Sequence, residues 1–164
     1  MHAMISGLLQ AGHSVKVLAA NTNKYSVDTE TIPMDFRAQT QIEFVHLDLS
    51  LHIPAALFNF MAGISYHVSR FHTKAFANKL TEILRRESFD IIQLEMLYMA
   101  SYLDVIRKYS EAPVVLRAHN IEHKIWQRVA ENCPNPIKRI YLNHLYRALR
   151  RFEIGILNKV DGIV

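Results

Sequence analysis

Cysteine is nearly absent from this chain: Cys133 stands alone among 164 residues, so no disulfide can form within the chain. This usage favours a reducing compartment, and we expect a cytoplasmic protein. No stretch reaches the roughly 18 consecutive apolar residues that a membrane span needs. The first residues also lack the basic-then-apolar order of a signal peptide. Internal repeats and low-complexity tracts are missing as well.

Several signatures of nucleotide-binding proteins and hydrolases are missing too. The sequence has no P-loop and no Gly-x-Gly-x-x-Gly turn. It has no Gly-x-Ser-x-Gly elbow and no metalloprotease helix. His119 and His123 stand four residues apart and could share a helical face. However, His119 is expected to precede the helix and no third ligand is evident, so we predict no metal and no other cofactor.

The composition is that of a chain that can bury a core. Half of the residues are hydrophobic and 21% are charged, which argues against disorder. The length suits one domain over residues 1–164. A formal net charge of +4, with nine histidines besides, favours anionic partners such as phosphates or acidic lipid headgroups. Nucleic acid is not expected, because no recognition-helix or basic-aromatic pattern is present.

The hydrophobic pattern alternates between strands and helices. Strands are predicted at residues 15–20, 42–47, 90–95, 113–118 and from 161, and helices at 3–11, 65–86, 97–109 and across 121–158. We interpret residues 21–41 as a loop. No Asn-Gly-type hairpin joins two strands, so the alternation predicts an α/β class with a Rossmann-like parallel sheet and helices on both faces.

A polar cluster follows the apolar strand 113–118, where ligands bind in parallel sheets. His119 is the candidate catalytic residue, because histidine can donate to a phosphate or a sugar hydroxyl or carry a proton near pH 7. Asn120 offers donors and an acceptor that suit hydroxyl-rich ligands. The alternative is structural: His119 caps the strand end and Asn120 starts the next helix.

Four further residues are candidates for substrate binding. Arg117 could reach a phosphate or pair with a carboxylate. Glu95 ends its own strand at the same edge and could accept from a ligand hydroxyl, or simply be solvated. Glu122 and His123 follow closely, although a capping and helix-dipole role is the alternative for Glu122.

Two basic helical stretches, residues 65–86 and 137–156, have two interpretations. Most simply they are the solvated faces of packed helices. The alternative is peripheral contact with acidic lipid headgroups at the inner membrane face. Residues 51–68 are apolar but contain Pro54 and Gly63, so they suit either a core helix with a kinked start or a mobile apolar lip beside a cleft.

The order of four motifs resembles the N-terminal lobe of a family-four glycosyltransferase with the two-lobed GT-B fold. The motifs are "LLQAGHSVKVLAA", "FDIIQLE", "APVVLRAHNIEH" and "NKVDGIV", and they extend over nearly the whole chain. The stretch "RAHNIEH" is the most specific. The resemblance places His119 near the donor sugar, whereas Asn120 stands where the family often has Asp.

The resemblance implies a hexosyltransferase that retains anomeric configuration, needs no metal and uses a nucleotide-sugar donor. Its acceptor would be a glycan or a lipid-linked molecule of the cell envelope. The family's lobe opens with a further strand and is followed by a C-terminal lobe, so we expect a partial lobe that is inactive alone. Without the opening strand, residues 15–20 are expected to pair directly with 90–95. The alternative is a non-catalytic α/β binding module, and the oligomeric state is left open.

Overall fold

A computed structural model describes residues 2–24, 26–50, 54, 60, 63 and 65–164. The chain divides into two compact units, residues 1–50 and 51–164. Both contain parallel strands linked through helices, and the predicted α/β, Rossmann-like class is confirmed. The interpretations of residues 51–68 as a core helix with a kinked start or a mobile apolar lip lie mostly outside the described residues.

The first unit is built on a two-stranded parallel sheet. Its elements are α1 (His2–Gln10), β1 (Leu18–Thr22), a 3-10 turn (Thr29–Thr31), α2 (Met34–Thr40) and β2 (Glu43–Leu47). Strand β1 pairs with β2 from Leu18 opposite Glu43 to Thr22 opposite Leu47. Gly12 follows α1 with φ of 87°, the left-handed helix ending predicted for this glycine.

The second unit is built on a three-stranded parallel sheet in the order β3–β4–β5. Its strands are β3 (Ile92–Glu95), β4 (Val114–Arg117) and β5 (Gly162–Ile163), and its helices are α3 (Tyr66–Ser69), α4 (Lys74–Arg86), α5 (Leu103–Tyr109), α6 (Glu122–Glu131) and α7 (Pro136–Leu157), with a 3-10 segment at Leu97–Tyr102. The central strand β4 is apolar and almost wholly buried at Val114 and Leu116. These residues pack with Ile106 and Leu149 in the main core.

One predicted long helix is divided by a capping residue, and one predicted helical region contains two helices, the second close to the predicted basic stretch 137–156. The predicted helix 65–86 ends at Ser69, and Thr73 begins α4 by accepting a hydrogen bond from the Phe76 N–H. The predicted helical region 121–158 stops at Glu131, and Asn135 begins α7 by accepting from the Lys138 N–H at 3.0 Å. Pro136 at the first position of α7 lacks an N–H that would otherwise need a partner.

The interpretation of residues 21–41 as a loop was wrong over its second half, which forms α2. Strand β1 also begins later than predicted, at Leu18. The expected direct pairing of residues 15–20 with 90–95 was wrong, because β1 pairs with β2 and β3 pairs with β4 in separate sheets. Among the described residues, no helix is both long and apolar enough to cross a membrane.

Candidate functional site

The carboxyl ends of β3 and β4 bring charged side chains together. The parallel register sets Glu95 opposite Arg117. The Glu95 carboxylate lies 3.0 Å from His119 Nε2 and 3.5 Å from Arg117 Nη1, and it accepts from Gln93 Nε2 at 2.6 Å. We call Gln93, Glu95, Arg117 and His119 the strand-end cluster. Three of its four members were predicted, at the predicted edge of the sheet.

The environment of Glu95 keeps its carboxyl ionised. Partial burial acts to raise the pKa of Glu95, but hydrogen bonds from His119 and Gln93 and the Arg117 charge outweigh it and lower the pKa below its usual range. A carboxylate can only accept, so the His119 Nε2–H donates to it and Nδ1 is left as the nitrogen for a ligand. His119 itself is exposed, with 44% of its side chain accessible, and a ligand can reach it.

The backbone directly after Glu95 is strained. Met96 adopts φ 73° and ψ 147°, a conformation that is costly for any residue with a Cβ. The Met96 N–H donates to the Arg117 carbonyl at 3.2 Å, so the unusual turn ties the end of β3 to the end of β4. Such strain persists only where the surroundings hold it. Here the hydrogen bond to the Arg117 carbonyl holds Met96, and so it also holds Glu95, the residue before it, at the edge of the sheet.

Glu122 and His123 contact protein groups outside the strand-end cluster. The Tyr98 hydroxyl donates to Glu122 Oε2 at 2.9 Å. Burial, reinforced by the Glu122 charge, raises the pKa of Tyr98. His123 is buried, and its Nδ1 lies 2.8 Å from Glu153 Oε2. These contacts favour supporting roles for Glu122 and His123. Asn120, the other predicted binding residue, is exposed.

Glu153 is the residue that the sequence interpretation missed. Its buried carboxylate accepts the backbone N–H groups of Glu122 and His123 at 3.0 and 2.9 Å. A carboxylate from α7 therefore caps the first turn of α6, where N–H groups lack helical partners. A signal was present: Glu153 follows Leu145 and Leu149 at a spacing of four residues, on the buried side of its helix.

The described residues contain no group of three or more metal-ligating side chains. No family model, curated protein or solved structure matches the chain.

Proposed function

We propose that the chain is the acceptor-side lobe of a GT-B glycosyltransferase that transfers a sugar from a nucleotide-sugar to a glycan or lipid-linked acceptor. The observation that carries the proposal is the strand-end cluster, in which Glu95 fixes one nitrogen of an exposed His119 at the carboxyl ends of two parallel strands. This is the edge at which α/β sheets bind ligands.

The geometry suits recognition of a sugar hydroxyl. With Nε2–H held by Glu95, the Nδ1 of His119 accepts a hydrogen bond from a ligand hydroxyl. During transfer, the bond between the anomeric carbon and the nucleotide phosphate breaks, and a bond to an acceptor oxygen forms. The acceptor proton leaves with the nucleotide. His119 and Arg117 would orient the sugar and the phosphate, and no metal is needed.

The first test is binding, because turnover is expected only when a second lobe completes the cleft. Titration of the chain with a panel of nucleotide-sugars and oligosaccharides should shift NMR signals of Glu95, Arg117 and His119. His119→Ala should abolish these shifts, whereas His13→Ala, at an exposed position in the other unit, should not. Shifts confined to other surfaces would contradict the proposed site.

The second test is turnover in an enzyme that includes the second lobe. His119→Ala should lower kcat by at least about tenfold, as expected for the loss of a positioned polar group. The melting temperature should change little, because the side chain is exposed. Unchanged kcat would remove His119 from the mechanism. Tight sugar binding with no turnover under any condition would favour the non-catalytic binding module.

Peripheral membrane contact belongs to the same proposal, and the described contacts favour the start of the basic stretch 137–156, together with α6, over the basic stretch 65–86. In α4, Lys79 pairs with Glu82 and Arg86 pairs with Glu87, each at 2.8 Å. These ion pairs support a solvated face. One group of exposed apolar residues lies on α6, directly before it and at the start of α7; it comprises Ile121, Ile125, Val129, Ile137 and Ile140.

Charge on the same two helices supports an anionic lipid surface as the partner. Lys124 and Arg128 lie beside the apolar row of α6, and Lys138 and Arg139 follow Ile137. Apolar side chains flanked by cations are typical of helices that lie in a membrane interface. Each cation near an anionic surface contributes about 1 kcal/mol, and salt screens this contribution.

Vesicle sedimentation tests the membrane contact. The protein should pellet with anionic vesicles at low salt and be released as salt rises, and Ile137→Glu should reduce the pelleted fraction. Ile91→Glu is the matched control, because Ile91 is also exposed but lies outside α6 and α7. Equal pelleting with neutral and anionic vesicles, or equal effects of both variants, would leave α6 and α7 as solvated helices.

A further inference from the structure

A second candidate binding site lies in the unit formed by residues 51–164, against α7. A cavity of about 650 Å³ is lined by Ser65, Val68, His72, Ala148, Arg151 and Phe152 among others. We call it the Arg151 groove. Its volume falls in the range of small-molecule sites. None of the strand-end cluster residues lines it, so it is separate from the site proposed for the sugar.

The wall of the Arg151 groove is largely apolar. Val68 and Ala148 are buried members of the core, and Phe152 packs against the same core. Removing a hydrocarbon chain from water against these side chains is favourable in proportion to the area covered. The wall therefore favours a ligand with an apolar body over a ligand that is polar throughout.

Arg151 provides a cation in this apolar setting. Its Nη2 donates to the Gly63 carbonyl at 3.3 Å, which orients the guanidinium and leaves other N–H donors for a ligand. No carboxylate of the described residues pairs with it, and no Asp or Glu lines the groove. The apolar wall and the unpaired guanidinium together favour an anion with an attached tail.

Two polar side chains join Arg151 in the groove. The Ser65 hydroxyl is buried and finds no hydrogen-bond partner in the described part of the chain. His72 donates from Nδ1 to the Ser101 carbonyl at 3.1 Å, which fixes its ring at the groove.

We propose that the Arg151 groove binds an amphiphile that carries a single acidic head group, a phosphate monoester or a carboxylate, on a hydrocarbon tail. The guanidinium holds the head, and Val68, Ala148 and Phe152 hold the tail. A smaller cavity of about 230 Å³ shares Arg151 but is also lined by Asp104. Lys159 lines that smaller cavity as well, so the opposite charges of Asp104 and Lys159 give it no preference for a second phosphate.

Titration of the intact chain with dodecyl phosphate below its micelle concentration tests this proposal. Isothermal calorimetry should give saturable binding with one site. Arg151→Gln should weaken the affinity by about tenfold or more, as expected for the loss of a charge-assisted hydrogen bond. Arg150→Gln is the matched control, because Arg150 is exposed, adjacent to Arg151 and absent from the lining of the groove. The Arg150→Gln variant should bind dodecyl phosphate with the affinity of the wild type.

Two further ligands identify which part of dodecyl phosphate is recognised. Dodecyl maltoside, with the tail but no charge, and methyl phosphate, with the charge but no tail, should both bind at least tenfold more weakly. Equal binding of dodecyl phosphate and dodecyl maltoside, or equal loss in the two arginine variants, overturns the proposal. His119→Ala and Ile137→Glu should leave the affinity unchanged, so a failure here is distinct from a failure of the transferase or membrane proposals.

Discussion

At the scale of single residues, His67 carries the clearest consequence for pH. Its ring is buried and lies 3.8 Å from the Trp126 ring, centroid to centroid. Burial, with the Arg70 charge as the second cause, lowers the pKa of His67 from 6.5 to about 4. The folded protein therefore keeps His67 neutral at a pH where the unfolded chain protonates it.

We expect acid to destabilise the protein through His67 before most carboxylates titrate. As pH falls through 6.5 the unfolded state gains a proton, and stability falls until the folded pKa of about 4 is reached. One pKa unit corresponds to about 1.4 kcal/mol, so the complete loss is about 3 kcal/mol. Urea unfolding followed by Trp126 fluorescence at a series of pH values measures it.

The variant His67→Phe separates this effect from other titrations. Phenylalanine keeps a ring beside Trp126 but binds no proton. The free energy of unfolding of the variant should therefore increase relative to that of the wild type as the pH falls from 7 to 4. His46→Phe replaces an exposed histidine and should show no such trend. A parallel pH dependence for His67→Phe and wild type would mean that His67 is not held neutral.

At the scale of secondary-structure elements, the end of α2 is stabilised less well than it could be. Gln41 follows the helix with φ 43° and ψ 42°, a left-handed conformation that costs roughly 1 kcal/mol for a residue with a Cβ. Its side chain is exposed, and its carbonyl accepts from Lys16 Nζ at 2.7 Å. Glycine would keep this carbonyl and remove the strain.

Gln41→Gly should therefore raise the free energy of unfolding by up to about 1 kcal/mol. The matched control is Gln39→Gly, at an exposed position inside the same helix. There glycine should lower the free energy of unfolding by about 0.5–1 kcal/mol. Chemical denaturation of the two variants gives the comparison, and effects of the same sign in both would show that the conformation of Gln41 is not strained.

Elements were predictable from the sequence where one local pattern decides the outcome. The apolar run at 114–116 and the polar residues after it located β4 and placed His119 at the edge of the sheet. Breaks that depend on a capping side chain were missed, as at Thr73, because a capping threonine and an ordinary helical threonine look alike in the sequence. The role of Glu153 was missed for another reason. Its carboxylate accepts from residues about thirty positions earlier in the chain, and a local sequence pattern does not show such a contact.

At the scale of the whole molecule, the two units differ in how well their sheets are supported. Strand β4 has a partner on each side, and its residues Val114 and Leu116 belong to the main core. The sheet of residues 1–50 has two strands, and such a pair is only marginally stable without further packing. Local opening is expected where fewer apolar groups are buried.

Hydrogen exchange should therefore distinguish the units. Amides of β4 should exchange most slowly, through global unfolding, while those of β1 and β2 should exchange faster through local opening. Residue-resolved NMR exchange measures both sets in one sample, and the denaturant dependence of each rate serves as the internal control. Identical opening free energies for β2 and β4 would show that residues 1–50 and 51–164 unfold as one cooperative body.

The bond between Asp161 and β4 sets an order of events during synthesis. Asp161 Oδ2 accepts from the Val114 N–H at 2.6 Å and from Arg107 Nη2 at 2.5 Å. Strand β4 can align with β3 as soon as both have left the ribosome. The second edge of β4 stays open until 47 further residues have been added and Asp161 arrives. A nascent chain thus carries an apolar strand with one unpaired side through the translation of two helices, which is the interval when chaperones would have a strand edge to protect.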